Sequence, residues 1–348
     1  MKAVLVTGAA GFIGRYAVEE FVAAGWEVFA LVHRTRTPEL AALAERGVVT
    51  LVDGDVTRYE SVASAVDRTL ARHPGGLDAV AHCAGRASDV GREGEFRRAN
   101  YESVVHLARV MQGRPVGRLV FVSTSDVYGL RDFSGEDGED LPLAAATRHP
   151  YPRHKIAAER HLRASLEPDR FAIVRPAAVW GVGDRTFAPR IVSFLRMSPW
   201  IIHFGPWRGA NRWPLAHVRN VAKAIRLCAE IPAAGGRAIT VLDDERTTVD
   251  EWYRMLCAIH LPGKARRSVT LPRWAGTLVG APVAALSDFL NLDHPFMDPS
   301  LYAVRTVSSN LDFGNRAFRE LLAAGGLRPV TREEGLAELR ESAWDRAL

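Results

Sequence analysis

The segment that most restricts the fold is Thr7-Gly8-Ala9-Ala10-Gly11-Phe12-Ile13-Gly14. It follows the strand-like run Lys2–Thr7 and opens a helix-like stretch, Phe12–Ala24. The glycines are spaced GxxGxxG, and each has a mechanical task in a strand–turn–helix unit. Gly8 turns the chain, Gly11 lets backbone approach a pyrophosphate, and Gly14 lets the helix pack on the strand. The helix start, with Phe12 and Ile13, then offers N–H groups and the positive end of its dipole to phosphates. A glycine triplet alone is a common turn. Between an opening strand and a helix it predicts dinucleotide binding.

The rest of the first half keeps the same rhythm. Short β-branched runs at Glu27–Val32, Val48–Val52, Asp78–Cys83, Arg118–Ser123 and Phe171–Arg175 alternate with stretches of helical length. Continuous apolar runs of this kind are strands buried on both faces, hence a parallel sheet. The alternation predicts an α/β, doubly wound parallel sheet of the Rossmann type, with a seventh strand at Ala238–Leu242. After Arg175 proline and tryptophan become frequent, and helical stretches follow at Val218–Ala229 and Val249–His260. At about 150 residues per domain, 348 residues suggest two domains. The expected division is a dinucleotide-binding domain over residues 1–180, to which 215–245 returns. A smaller, mostly helical substrate domain takes 181–214 and 246–348.

Composition narrows the function classes. Apolar residues make up 47% and charged residues 24%, a soluble globular balance. The net charge of +5 is spread among acids without a long basic run, so no nucleic-acid partner is expected. Cys83, Cys228 and Cys257 show no metal-ligand spacing, so no metal site is expected and a reduced, cytoplasmic setting fits. The apolar run Trp274–Leu290 is broken by Pro282 and does not read as a membrane span. It reads as core, as the wall of an apolar pocket, or as a monotopic membrane contact.

The ends of the strands carry the cofactor residues. The second ends in Leu31-Val32-His33-Arg34, where a carboxylate would hold a ribose 2′-hydroxyl. The guanidinium of Arg34 instead suits a 2′-phosphate, which favours NADP(H) while leaving NAD(H) possible. Asp55, before Val56, is placed to accept from an adenine amino group. Cys83, Ala84 and Gly85 would let backbone run beside the cofactor.

The fifth strand runs into Ser123-Thr124-Ser125-Asp126-Val127-Tyr128-Gly129, and Pro150-Tyr151-Pro152-Arg153-His154-Lys155 opens a later helix. Tyr151 and Lys155 are four apart and share a helix face. A phenol, with a pKa of about 10, is a poor acid–base catalyst near neutrality. A nearby ammonium favours the phenolate and brings it into use. A hydroxyl from Thr124 or Ser125 can hold the same reacting oxygen. Pro152 biases Tyr151 away from helical backbone, which predicts the tyrosine at the cap rather than inside the helix.

These segments, in this order, resemble an extended short-chain dehydrogenase/reductase. The tail and the Tyr-Pro-x-x-Lys helix start are similar to its 3β-hydroxysteroid dehydrogenase-like branch. The resemblance implies Thr124, Tyr151 and Lys155 as the catalytic set, Lys155 also bonding the nicotinamide ribose. It implies Pro176 and Val179 along the nicotinamide, and both Asn100, at a helix kink, and Ser123 beside the cofactor. It also implies a homodimer and a small-molecule substrate. Arg219 stands where that branch has an acid. The expected reaction is hydride transfer between nicotinamide and a secondary alcohol or ketone of a bulky apolar molecule, steroid-like or a β-hydroxy/β-keto acyl compound. A nucleotide-sugar epimerase or dehydratase, and a non-catalytic dinucleotide sensor, are the competing expectations.

Overall fold

A computed structural model of the chain describes residues 1–88, 91–263, 266–276, 278 and 301–342. Its strands are β1 (Ala3–Thr7), β2 (Glu27–Val32), β3 (Val49–Asp53), β4 (Leu77–His82), β5 (Val116–Val122), β6 (Phe171–Pro176), β7 (Ala178–Trp180), β8 (Trp200–Phe204), β9 (Leu215–His217), β10 (Ala238–Val241) and β11 (Arg267–Leu271). The helices between them are α1 (Phe12–Ala23), α2 (Pro38–Glu45), α3 (Tyr59–Arg72), α4 (Glu93–Arg97), α5 (Ser103–Met111), α6 (Pro150–Ser165), α7 (Ala188–Met197), α8 (Val218–Glu230) and α9 (Val249–His260). Helices Leu301–Ser308, Arg316–Ala324 and Arg332–Glu341 come last.

Seven strands form one sheet in the order β10-β6-β5-β4-β1-β2-β3, with every pair parallel. This is the expected Rossmann-type sheet, and Ala238–Val241 is its seventh strand. Side chains alternate between its faces. Val4 and Val6 meet Ala17, Val18 and Phe21 of α1 and Val221 and Ile225 of α8. Ala3 and Leu5 meet Val62 and Val66 of α3, Leu107 and Met111 of α5 and Leu162 of α6. Because helices cover both faces, the strands carry almost no polar alternation.

Chain order reverses between β1 and β4, which opens a crevice beyond their C-terminal ends. The apolar layer around α1 and α8 continues without a break into the later segments, through Trp180, Trp213, Trp252, Phe313 and Phe318. Two small parallel pairs, β7–β9 and β8–β11, extend from that layer. Of the apolar run Trp274–Leu290, residues 277 and 279–290 lie outside the described residues, and Trp274 and Leu278 are exposed. No helix of the described residues is long and apolar enough to cross a membrane.

Candidate active site

The glycine turn sits at the crevice and its geometry explains the residue choice. Gly8 has φ +67°, and a Cβ there would lie 2.7 Å from the Ala84 nitrogen. A Cβ on Gly14 would lie 2.0 Å from the Gly8 carbonyl oxygen, so α1 could not seat on the turn with any larger residue. Gly11 caps α1, and no side chain caps it or places an acid in its first turn. The N–H groups of that turn therefore face the crevice without a side-chain acceptor, which is the arrangement a pyrophosphate requires. Close backbone approach and an acid-free helix start fit a bound dinucleotide.

The other expected cofactor residues divide by what their side chains already do. Phe12, Ile13 and Val179 pack together with Tyr16, Val218 and Ala222. Pro176 closes β6 and is buried. Arg34 is exposed after β2 and has no ion-pair partner among the described residues, whereas the nearby Arg36 donates to Asp53 Oδ1 at 2.8 Å. Asp55 accepts from the Thr57 backbone N–H and hydroxyl at 2.9 and 2.7 Å. Partial burial opposes ionisation of Asp55, but the Thr57 hydrogen bonds hold it below the usual carboxylate range. Val56 packs on the α3 side, and its carbonyl faces His106 Nδ1 at 3.2 Å.

Asn100 and Ser123, expected beside the cofactor, have their polar groups committed elsewhere. Asn100 lies in a π-helical turn, Arg98–Glu102, the kink its position implied. Its amide accepts from Arg86 N–H at 3.1 Å and donates to the Arg86 carbonyl at 3.0 Å, which pins the loop after β4. Ser123 Oγ donates to Glu159 Oε1 at 2.7 Å. His82, on β4, bridges Thr7 and Ser103 at 2.7 and 3.1 Å, and burial pushes its imidazole down to about 3. Cys83 beside it is pushed up to about 12 by burial.

Lys155 joins the crevice to the fifth strand. Its amine donates to the Val122 carbonyl at 2.8 Å and lies 4.7 Å from the centre of the Phe121 ring. A Cβ on Gly85 would lie 3.2 Å from the same nitrogen. The amine is 5.9 Å from the centre of the Tyr151 ring. Burial pushes the ammonium down to about 7, against a smaller opposing pull from Cys83 and Glu159. Thr124 is buried and caps the short turn Ser125–Tyr128, its Oγ1 accepting from Asp126 N–H at 3.2 Å.

Tyr151 lies inside the helix and not at its cap, contrary to the expectation from Pro152. His149 is the cap, its Nδ1 accepting from Tyr151 N–H at 3.3 Å. Pro150 and Pro152 both fall in the first turn, where backbone N–H groups need no helical partner, so neither breaks the helix.

A buried ion-pair frame beside the site carries no complete signature in the sequence. Glu159, one turn beyond Lys155, is wholly buried and forms a bidentate pair with Arg175 of β6, at 2.6 and 3.0 Å. Arg175 also donates to Tyr128 Oη at 3.0 Å, and Tyr128 Oη lies 2.6 Å from Thr240 Oγ1 of β10. Burial disfavours the Glu159 charge, but Arg175 outweighs it and holds the carboxylate below its usual range. This frame fixes α6 against β6 and against Ser123, the neighbour of Thr124. The signal was present in the spacing, since Lys155 and Glu159 share a helix face, but nothing local names Arg175 as the partner.

Arg219 is held by residues of distant segments. It pairs with Glu338 at 3.1 Å and lies over the Tyr16 ring at 5.1 Å, fastening the last helix to α8 and α1. Asp243 carries the buried polar work on that side, accepting from Trp180 Nε1, His217 N–H and Asn220 Nδ2 at 2.7, 2.8 and 2.9 Å.

Comparison with known proteins places this geometry. Residues 4–241 match the model of a family described as NAD dependent epimerase/dehydratase. The chain is 26% identical to the 2-alkyl-3-oxoalkanoate reductase of Shewanella oneidensis, over 97% of this chain and 85% of that one. It is 29% identical to the 3 beta-hydroxysteroid dehydrogenase/Delta 5-->4-isomerase of Mycobacterium tuberculosis, over 79% and 74% respectively. Its fold matches the dTDP-glucose 4,6-dehydratase of Bacillus anthracis, solved in complex with NAD, with a TM-score of 0.71 at 18% identity, covering 100% of this chain and 97% of that one.

Proposed function

The chain belongs to the NAD dependent epimerase/dehydratase family and is an NAD(P)-dependent oxidoreductase, and we propose that its substrate is a secondary alcohol or ketone on a bulky apolar molecule, 3β-hydroxysteroid-like or a β-hydroxy/β-keto acyl compound. The supporting observation is the junction of three distant motifs. The glycine turn leaves no room for a Cβ beside Ala84, Gly85 leaves little beside the Lys155 amine, and that amine lies 5.9 Å from the centre of the Tyr151 ring.

A bound nicotinamide dinucleotide supplies or takes the hydride. Tyr151 gives or takes the hydroxyl proton, and Lys155 favours its phenolate. Thr124 positions the reacting oxygen. Arg34, free of ion pairs among the described residues, supports a preference for NADP(H) through the 2′-phosphate.

The test is a screen of 3β-hydroxysteroids, 2-alkyl-3-oxo acids and UDP-sugars with NADP and NAD, followed by the absorbance of reduced nicotinamide. Turnover of the first two classes is expected. Turnover confined to UDP-sugars, with NAD retained through purification, would replace this reading by an epimerase or dehydratase.

A further inference from the structure

We propose that Tyr302 is a positioning residue that holds both limbs of the catalytic set, the Thr124 turn and the start of the Tyr151 helix, in register. The proposal rests on the roles given above to Thr124, Tyr151 and Lys155.

Tyr302 lies on helix Leu301–Ser308, 176 positions beyond Asp126, and its hydroxyl donates to Asp126 Oδ2 at 2.5 Å. Asp126 is the residue whose backbone N–H bonds Thr124 Oγ1. The Tyr302 ring lies on the His149 imidazole, with centres 4.2 Å apart and planes 25° from parallel. His149 is the cap that takes the Tyr151 N–H. One side chain therefore grips the partner of Thr124 by its hydroxyl and the cap of Tyr151 by its ring face. Neither contact reaches the reacting atoms, so Tyr302 acts through Asp126 and His149. The two handles are chemically separate, and substitutions separate them.

Asp126 is partly buried. Burial raises its carboxyl above the usual range, and Tyr302, His149 and Thr124 are the groups that oppose that rise. Removing the Tyr302 donor therefore moves its protonation to higher pH.

The test uses the full chain with NADPH and a 2-alkyl-3-oxo acid, and with NADP and a 3β-hydroxysteroid. Tyr302→Phe keeps the stack and removes the donor. Its kcat is expected to fall about tenfold with KM and the NADPH Kd within about twofold. The acid limb of its kcat profile is expected to move up by about half a pH unit. Tyr302→Leu also loses the stack, and a fall of about a hundredfold is expected. An unchanged kcat and acid limb in Tyr302→Phe would overturn the proposal.

Should Tyr302→Phe fail to fold, Asp126→Asn decides. It keeps the size and an acceptor but cannot titrate, so its acid limb should flatten, and an intact limb would overturn the proposal. A thermal-unfolding cycle of Tyr302→Phe, Asp126→Asn and the double variant, with NADPH and no substrate, reads the contact alone. Non-additive shifts are expected; additive shifts would overturn it. Should the parent turn over neither probe while the cycle is coupled, the substrate reading fails and the bracket stands.

Discussion

Glu159 and Asp126 adjoin the same site, and their charges are met in opposite ways. Glu159 is wholly buried, yet a bidentate guanidinium holds it ionised. Asp126 has neutral hydrogen-bond donors and a histidine in place of an arginine, and burial raises it. Lys155 follows the second pattern, with a carbonyl as its hydrogen-bond acceptor and a proton that leaves near neutrality. Behind α6 lies a frame whose charges cancel and whose protonation is fixed. On the other side Asp126 and Lys155 are left without full compensation, and burial shifts each toward its neutral form. A charge matched by its partner is scaffold; a charge left partly unmatched is available for chemistry.

The sharpest way to break this contrast is Tyr151→Phe. A fall in kcat of about a thousandfold is expected, with NADPH binding kept within about twofold. Steady-state rates and nicotinamide fluorescence check it, and a loss under tenfold would remove the phenol from proton transfer.

Next is the frame. Arg175→Met strands the Glu159 charge in the interior and should cost about 3–5 kcal/mol of stability in denaturant unfolding. Arg175→Met combined with Glu159→Leu should recover much of that loss, because no uncompensated charge remains. Additive losses would mean that the two charges are not a unit.

Lys155 gives the same contrast as a pH dependence. Its folded value of about 7 lies below the unfolded value of about 10.4, so the unfolded chain binds the extra proton between them. Stability from this group therefore rises as pH climbs through that window, by up to about 1.4 kcal/mol per unit, and is lost as pH falls through it. Lys155→Met should flatten that slope in unfolding curves taken across the window. An identical slope in the variant would mean that the amine titrates normally.

At the cofactor rim, Arg34→Ala should raise the NADPH Kd about tenfold and the NADH Kd by about twofold or less. Equal losses would remove the 2′-phosphate argument. The smallest effect belongs to the surface pair Arg219–Glu338. Glu338→Gln should cost under about 1 kcal/mol, read as a small fall in Tm.

What could be read before folding was what repeats or is spaced locally. Gly8 and Gly14 announce themselves because no other residue fits, and Tyr151 and Lys155 because one helical turn separates them. The apolar runs of β1 to β6 stand out because a doubly covered sheet leaves no polar face. Glu159 was invisible because its partner comes from β6, and Tyr302 because its partners precede it by well over a hundred residues. The pair β7–β9 was missed because strands of three residues carry too little period to register. Arg219 stands out in sequence only as the basic residue where the resembled branch has an acid, and its partners, Glu338 and the Tyr16 ring, come from distant segments. Long-range pairing, and not residue type, decides such cases.

The outermost strand of the large sheet carries a consequence for how the protein is made. Thr240 of β10 meets Tyr128, and its N–H donates to Glu139 Oε1 at 2.8 Å, so the turn beginning at Ser125 is fastened to a strand synthesised more than a hundred residues later. A nascent chain still lacking β10 has its glycine turn, most of its sheet and the Arg175 bond to Tyr128, but not the Thr240 fastening. The cofactor cradle can then form while the polypeptide is still emerging, and the turn beginning at Ser125 gains this fastening only once β10 has been made.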